Sequence, residues 1–274
     1  MRGGRDQNED NFLVAQDGQA WLLEDGAEVR RELPGHGLLV GVADGMGGHE
    51  EGALASAAAI QTLVRLYAKS VPGDREEFLR HWIQRSHELL RARVRARGTG
   101  NMGSTLAAIW LVHDQIVWSH VGDSRIYRYS KPSTRPGAVE GLVRLTRDHT
   151  RGEFAARDGR PRPPQPDALT QNFLFGSRNL GDDARIRLDP GVDSGTFPAI
   201  PRERLLLCTD GLHGAVAEPQ LAAVLERAID PLQACSTLVD LAMANGSRDN
   251  ITAIVVDLGP PAPWEEEGGM GRLW

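Results

Sequence analysis

The sequence predicts an α+β fold in which antiparallel sheets are flanked by pairs of helices. Read along the chain, the elements run strands, two helices, strands, two helices, strands. That order does not alternate β-α-β-α, which disfavours a doubly wound parallel sheet. Between Thr105 and Thr146 the chain is a succession of short β-branched and aromatic runs separated by turn residues, the pattern of an antiparallel meander. The 274 residues, 41% hydrophobic and 25% charged, are enough for a sizeable core in one domain.

Each element has its own signal. Asn11–Ala15 is expected as a strand that turns back in a hairpin at Gln16-Asp17-Gly18. Gly37–Ala43 is short and uniformly apolar, as a buried strand would be, and stops at Asp44-Gly45. Leu54, Ala58, Leu63, Leu66 and Tyr67 follow helical spacing within Glu51–Ser70, and Pro72-Gly73 closes that helix. Asp74, with Glu77 three residues on, forms a capping-box pattern. It opens a second helix carrying Phe78, Trp82, Ser86, Leu90 and Val94 on one face until Gly98. Strands follow at Thr105–Val112, Gln115–Val121, Arg125–Tyr129 and Leu142–Thr146. Residues 150–183 include Arg160-Pro161-Arg162-Pro163-Pro164-Gln165-Pro166, whose prolines lack the donors a sheet needs, and are expected to form a mobile flap. Strands resume at Ala184–Leu188, Arg204–Thr209 and Ile251–Leu258. Between the last two, Pro219 falls in the first turn of one helix, while Asp230-Pro231 opens another that Gly246 ends. The domain is expected to span residues 1–259, with 260–274 as a disordered tail.

Composition excludes several classes. Thirty-one basic against 37 acidic side chains give a net charge of −6, so no global basic field favours nucleic acid or a membrane surface. Lysine occurs only at Lys69 and Lys131, neither of them in a phosphate-binding loop or a kinase strand. Cys208 and Cys235 form neither a zinc pattern nor a disulfide framework, which fits a reducing cytoplasm. No apolar run reaches the ~18 residues of a membrane span. A soluble, cytoplasmic monomer is expected.

Aspartates mark the strand ends. Asp44 ends one apolar strand, Asp123 another and Asp210 a third, and Asp249 opens the last. Aspartate at a strand end is an ordinary turn former. Four in this pattern, with Asp10 in Arg5-Asp6-Gln7-Asn8-Glu9-Asp10, instead suggest carboxylates converging at one sheet edge, an arrangement that needs a cation. Oxygen ligands without a His/Cys cluster point to Mg²⁺ or Mn²⁺. Gly45, Gly47 and Gly48 would allow close approach of backbone or substrate.

These residues carry a resemblance. Arg5-x-x-Asn8-Glu9-Asp10, Asp44-Gly-Met-Gly-Gly-His49, Gly103-Ser-Thr105, Val121-Gly-Asp-Ser-Arg125, Leu145-Thr-x-Asp148-His149, Cys208-Thr-Asp-Gly211 and Asp249-Asn250 occur in the order found in metal-dependent type-2C (PPM) protein serine/threonine phosphatases, in their bacterial variant. The match spans residues 5 to 257. It implies a four-layer α-β-β-α sandwich and hydrolysis of phosphoserine or phosphothreonine by direct attack of metal-bound hydroxide, opposing a cytosolic Ser/Thr kinase. It also implies two Mn²⁺ or Mg²⁺ ions and a possible third.

Carried over position by position, Asp44 bridges two metals, the Gly45 carbonyl serves one of them, and Asp210 and Asp249 complete the other. Asp10 and Glu9 hold metal-bound water, Asp123 matches a third-metal ligand, and Asn250 stands beside Asp249. Arg5 matches the arginine that grips the phosphate, for which a planar fork suits a phosphoryl group. Met46 stands where eukaryotic members carry a proton-donating histidine. His49 or metal-bound water could replace it, or His49 could be an ordinary hydrogen-bonded residue where the helix begins. His113 and His120 are read as ordinary strand residues. Family members carry a strand before the arginine motif, whereas only Met1-Arg2-Gly3-Gly4 precede Arg5 here. Either the true start lies upstream of Met1, or Arg5 lies on a frayed end with a weakened phosphate grip, and the alternative reading is a catalytically weak phosphoprotein-binding member lacking the first strand. A hydrolase of another phosphoester, such as a nucleotide, would share the metals but lacks aromatic or basic features for a base.

Overall fold

The computed structural model describes residues 1–35, 37–47, 50–69, 75–96, 102–131, 140–167 and 192–259. In chain order the elements are β1 (Asn11–Gln16), β2 (Gln19–Glu24), β3 (Ala27–Glu32), β4 (Leu38–Ala43), β5 (Gly45–Met46), α1 (Glu50–Tyr67), α2 (Arg75–Ala96), β6 (Gly103–Ser104), β7 (Leu106–Val112), β8 (Gln115–Val121), β9 (Arg125–Ser130), β10 (Gly141–Arg144), α3 (Arg151–Arg157), β11 (Asp193–Pro198), β12 (Arg204–Cys208), α4 (Asp210–His213), α5 (Glu218–Arg227), α6 (Pro231–Ala244) and β13 (Ala253–Asp257). A seven-stranded sheet runs β11-β8-β7-β4-β1-β2-β3, a four-stranded sheet β10-β9-β12-β13, and β5-β6 form a short ribbon. Every pairing is antiparallel.

The period of two along each strand builds the layers. On β1, Leu13 and Ala15 face the core formed with α1 and α2, while Phe12 and Val14 face a second core between the sheets. On β7, Leu106, Ala108 and Trp110 take the helix side, and Ala107 and Ile109 the inter-sheet side. On β12, Leu205 and Leu207 meet the large sheet, whereas Leu206 and Cys208 pack beneath α5 and α6 with Leu221, Leu225, Leu238 and Ala242. Both sheets are thus buried on two faces, giving the expected α-β-β-α order.

Several elements differ from the sequence-based expectation. β3 (Ala-Glu-Val-Arg-Arg-Glu) is an exposed edge strand with no apolar alternation to announce it. It is joined to β2 by an Asp25-Gly26 turn with both φ positive, like the Asp17-Gly18 turn before it. β11 is the opposite edge, where Pro198 is tolerated because its missing donor would face outward. Residues 151–157, expected in an irregular flap, form α3, whose Thr150 hydroxyl accepts from Glu153 N. His113 lies in the turn between β7 and β8 at φ +57 rather than on a strand. Leu54, expected on the buried face of α1, is 61% exposed. The Ala184–Leu188 strand, the Asp74 cap, residues 168–183 of the flap and the 260–274 tail lie outside the described residues. No described helix is long and apolar enough to cross a membrane.

Candidate metal centre

Chain reversals at the ends of β1, β4, β8, β12 and β13 bring Asp10, Asp44, Asp123, Asp210 and Asp249 to one end of the sandwich. Asp10 directly precedes β1 and is 3% exposed. Its Oδ2 accepts from Thr209 Oγ1 at 2.9 Å and Thr252 Oγ1 at 2.7 Å. Its Oδ1 is buried without a hydrogen-bond partner, as is Oδ1 of Asp210. Asp44 and Asp210 lie close enough for each carboxyl to shift the titration of the other.

The electrostatics follow. Burial pushes Asp10 up to about 7 against the pull of the two threonine hydroxyls. Burial, then the charges of Asp210 and Asp148, push Asp123 up to about 8. Burial together with Asp10, Asp210 and Asp123 holds Asp44 well above the usual carboxylate range, and burial with Asp249 raises Asp210. Such a set is unfavourable when ionised unless a cation is present. Two orphaned buried oxygens among oxygen-only donors fit a hard divalent ion.

Close backbone approaches shape the centre. A side chain at Gly45 would collide with the carbonyl oxygens of Glu9 and Gly52, and one at Gly211 with that of Asn250. Gly45 N donates to Glu9 O, Glu9 N donates to Asn250 Oδ1, and Asn250 Nδ2 donates to the carbonyls of Arg2 and Gln7. Thr105 ties two aspartate turns together: its Oγ1 accepts from Asp44 N at 2.9 Å and lies 2.6 Å from Ser124 Oγ.

Arg5 is not frayed. Met1 and Ile251 exchange two hydrogen bonds of 2.9 Å, which fastens the segment before Arg5 alongside Asp249 and Asn250. The Arg5 guanidinium is 57% exposed and pairs with Asp249 Oδ2 at 2.8 Å. His49 and Gly48 lie outside the described residues.

Sequence reasoning missed the hydroxyls of Thr209, Thr252 and Thr105. Thr209 and Thr105 sit inside the Cys208–Gly211 and Gly103–Thr105 motifs, but only the fold shows what they touch. It also missed a second convergence, His120, His149 and Asp193, whose donor atoms lie within 4.8 Å of one another.

Comparison with known proteins agrees with this geometry. The family model described as protein phosphatase 2C matches residues 22–244. The serine/threonine phosphatase stp of Listeria innocua is 28% identical over 231 residues, covering 80% of this chain and 84% of its own. The Mycobacterium tuberculosis serine/threonine phosphatase PstP/Ppp superposes with a TM-score of 0.70 at 26% identity, covering 94% of this chain and 96% of its own. A structure of the PstP catalytic domain with two manganese ions gives a TM-score of 0.69 at 26% identity over 94% of this chain and 95% of that one. With the family match reaching across both sheets and the aspartates meeting at their common edge, this chain belongs to the protein phosphatase 2C family.

Proposed function

We propose that this protein hydrolyses phosphoserine and phosphothreonine in other proteins, using two Mn²⁺ or Mg²⁺ ions with Asp123 serving a third, and that it reverses a Ser/Thr kinase in the cytoplasm. One observation carries the reading: the buried Asp10 and the partly buried Asp44, Asp123 and Asp210 converge, with Asp10 Oδ1 and Asp210 Oδ1 left without partners. Asp44, the Gly45 carbonyl, Asp210 and Asp249 would hold the two ions, with Asp10 and Glu9 hydrogen-bonding water around them. When bound, the ions would activate water for in-line attack at phosphorus and offset phosphoryl charge.

The chain's own residues prepare this. The hydroxyls of Thr209 and Thr252 fix one oxygen of Asp10, while the other is buried without a hydrogen-bond partner. Arg5 offers its fork to the substrate phosphate by exchanging the Asp249 carboxylate for a phosphoryl dianion, with Asn250 framing that corner. Proton donation to the leaving alkoxide by His49 rests on its sequence position alone. The relatives named as serine/threonine phosphatases support the substrate class. Hydrolysis of a phosphothreonine peptide beside nucleoside monophosphates, with Mn²⁺, Mg²⁺ or EDTA, tests it. Metal-dependent turnover of the peptide is expected, and preference for the nucleotides would overturn the reading.

A further inference from the structure

We propose that Asp193 and His149 act as a positioning pair that holds the Gly122–Asp123 turn, and through it the Asp123 carboxylate, in the acidic cluster. The proposal rests on the reading of Asp123 as a group that faces a metal ion. Gly122 is bound twice by His149. Its N–H donates to His149 Nδ1 at 3.2 Å, and its carbonyl accepts from His149 N at 2.8 Å. The turn requires glycine, because Gly122 takes φ +105 and a side chain there would collide with Thr105, and a glycine backbone holds this conformation only through its contacts.

An N–H pointed at Nδ1 puts the imidazole proton on Nε2, which faces Asp193 Oδ2 at 3.2 Å. The carboxylate thus selects the tautomer that can receive Gly122. His149 is buried, while Asp193 is half exposed and stands opposite His120 in the β11–β8 register. His120 supplies the wall. It is fully buried with neither ring nitrogen hydrogen-bonded, and its ring centre lies 4.6 Å from that of His149.

The spacing of these three side chains would suit a metal, but the tautomer argues otherwise. A cation on Nε2 would move the proton to Nδ1, where the Gly122 N–H already points. The far side of the turn is held separately, by the bidentate Arg125–Asp148 pair and by His213 Nε2 at 3.0 Å from the Asp123 carbonyl. Losing the His149 contact should therefore loosen the Gly122 end of the turn, and with it the aim of the Asp123 side chain, without unfolding the sandwich. Groups that hold a ligand in place commonly govern metal affinity ~10–100-fold.

The test uses the full chain with His149→Gln, whose amide reaches toward Asp193 but gives Gly122 no acceptor, and His149→Asn, whose Oδ1 can replace Nδ1. Each is made alone and with Asp123→Asn. Calorimetric titration with Mn²⁺ is read beside kcat and KM on a phosphothreonine peptide, with melting temperature as the folding control. Asp123→Asn should weaken the weakest Mn²⁺ step more than tenfold. His149→Gln should weaken the same step about tenfold and lower kcat with KM within twofold, His149→Asn should stay within threefold of wild type, and His149→Gln should add nothing to Asp123→Asn. Asp193→Asn should give an intermediate loss.

Unchanged Mn²⁺ binding in His149→Gln would overturn the proposal, as would full additivity with Asp123→Asn. Loss in His149→Gln of a tight site that Asp123→Asn retains would mean that the histidines bind metal themselves, which also overturns it. If Asp123→Asn leaves Mn²⁺ binding intact, the proposal falls while the phosphatase reading stands, provided Asp210→Asn still abolishes turnover. Independently of metal, ¹⁵N shifts of the His149 ring should report the Nε2–H tautomer, and an Nδ1–H ring would refute the proposal.

Discussion

Without metal, this protein should lose stability as pH rises from 6.5 to 8, and Asp123→Asn should remove much of that loss. Asp123 keeps its proton in the fold up to about 8, while in the unfolded chain it titrates near the ordinary value of ~3.9. Between those values the folded state binds the extra proton, so stability is fullest at low pH and declines until the folded value is passed. Asp10, raised to about 7, acts in the same direction. Two buried imidazoles oppose them at lower pH. Burial holds His120 down at about 3 and His213 at about 4, so acid favours their unfolded, protonated forms. From pH 6.5 to 8 the two unfolded imidazoles lose the remaining half of their charge, which offsets ~0.8 kcal/mol, about what Asp10 contributes in the other direction, and leaves the Asp123 contribution. At ~1.4 kcal/mol per pH unit, Asp123 by itself costs ~2 kcal/mol between pH 6.5 and 8. With a melting temperature that moves ~2–4 °C per kcal/mol for a domain of this size, the expected drop is ~4–8 °C. Scanning fluorimetry in EDTA at constant ionic strength measures it. Asp123→Asn should flatten the profile and melt higher than wild type at pH 8, and excess Mn²⁺ should restore the wild-type protein. A flat or rising wild-type profile in EDTA, or a less stable Asp123→Asn at pH 8, would refute the reasoning.

Two further outcomes concern the supports of the site and the fold. Thr252→Val removes the 2.7 Å donor to Asp10 Oδ2 and should cost the ionised carboxylate ~1.5–3 kcal/mol, seen in calorimetry as Mn²⁺ affinity about tenfold weaker or worse. Glu203→Ala removes the carboxylate that pairs with the buried Arg128 guanidinium and should destabilise the fold by ~3–5 kcal/mol, read from urea denaturation.

Much of the architecture was legible because both sheets are buried on two faces, so strands such as β4, β7 and β12 read as apolar runs with turn residues at their ends. The edges were not. β3 and β11 carry charged, glycine or proline residues that mark an edge once the fold is known but resemble loop in the sequence. The five aspartates were legible because each interrupts or borders an apolar run. Their hydroxyl partners were not, since Thr209 and Thr252 reach Asp10 across 199 and 242 residues of chain. His120 and His149 lie on different segments and meet because the chain after β10 returns to the Gly122 turn at the end of β8, so no local spacing announced them. Of the two alternatives for the start, a frayed Arg5 is not what the structure shows, because Ile251 holds Met1 from the far end of the chain, a contact no short-range reading could see.

The central claim is that the aspartate cluster is the metal centre of a protein phosphatase, and its most direct test is phosphothreonine-peptide hydrolysis by wild type and Asp210→Asn across a range of Mn²⁺ concentrations, with circular dichroism to show that both are folded. The account predicts turnover that rises with Mn²⁺, vanishes in EDTA and falls by ~100-fold or more in Asp210→Asn. Wild-type turnover in Asp210→Asn, or undiminished hydrolysis in EDTA, would contradict it.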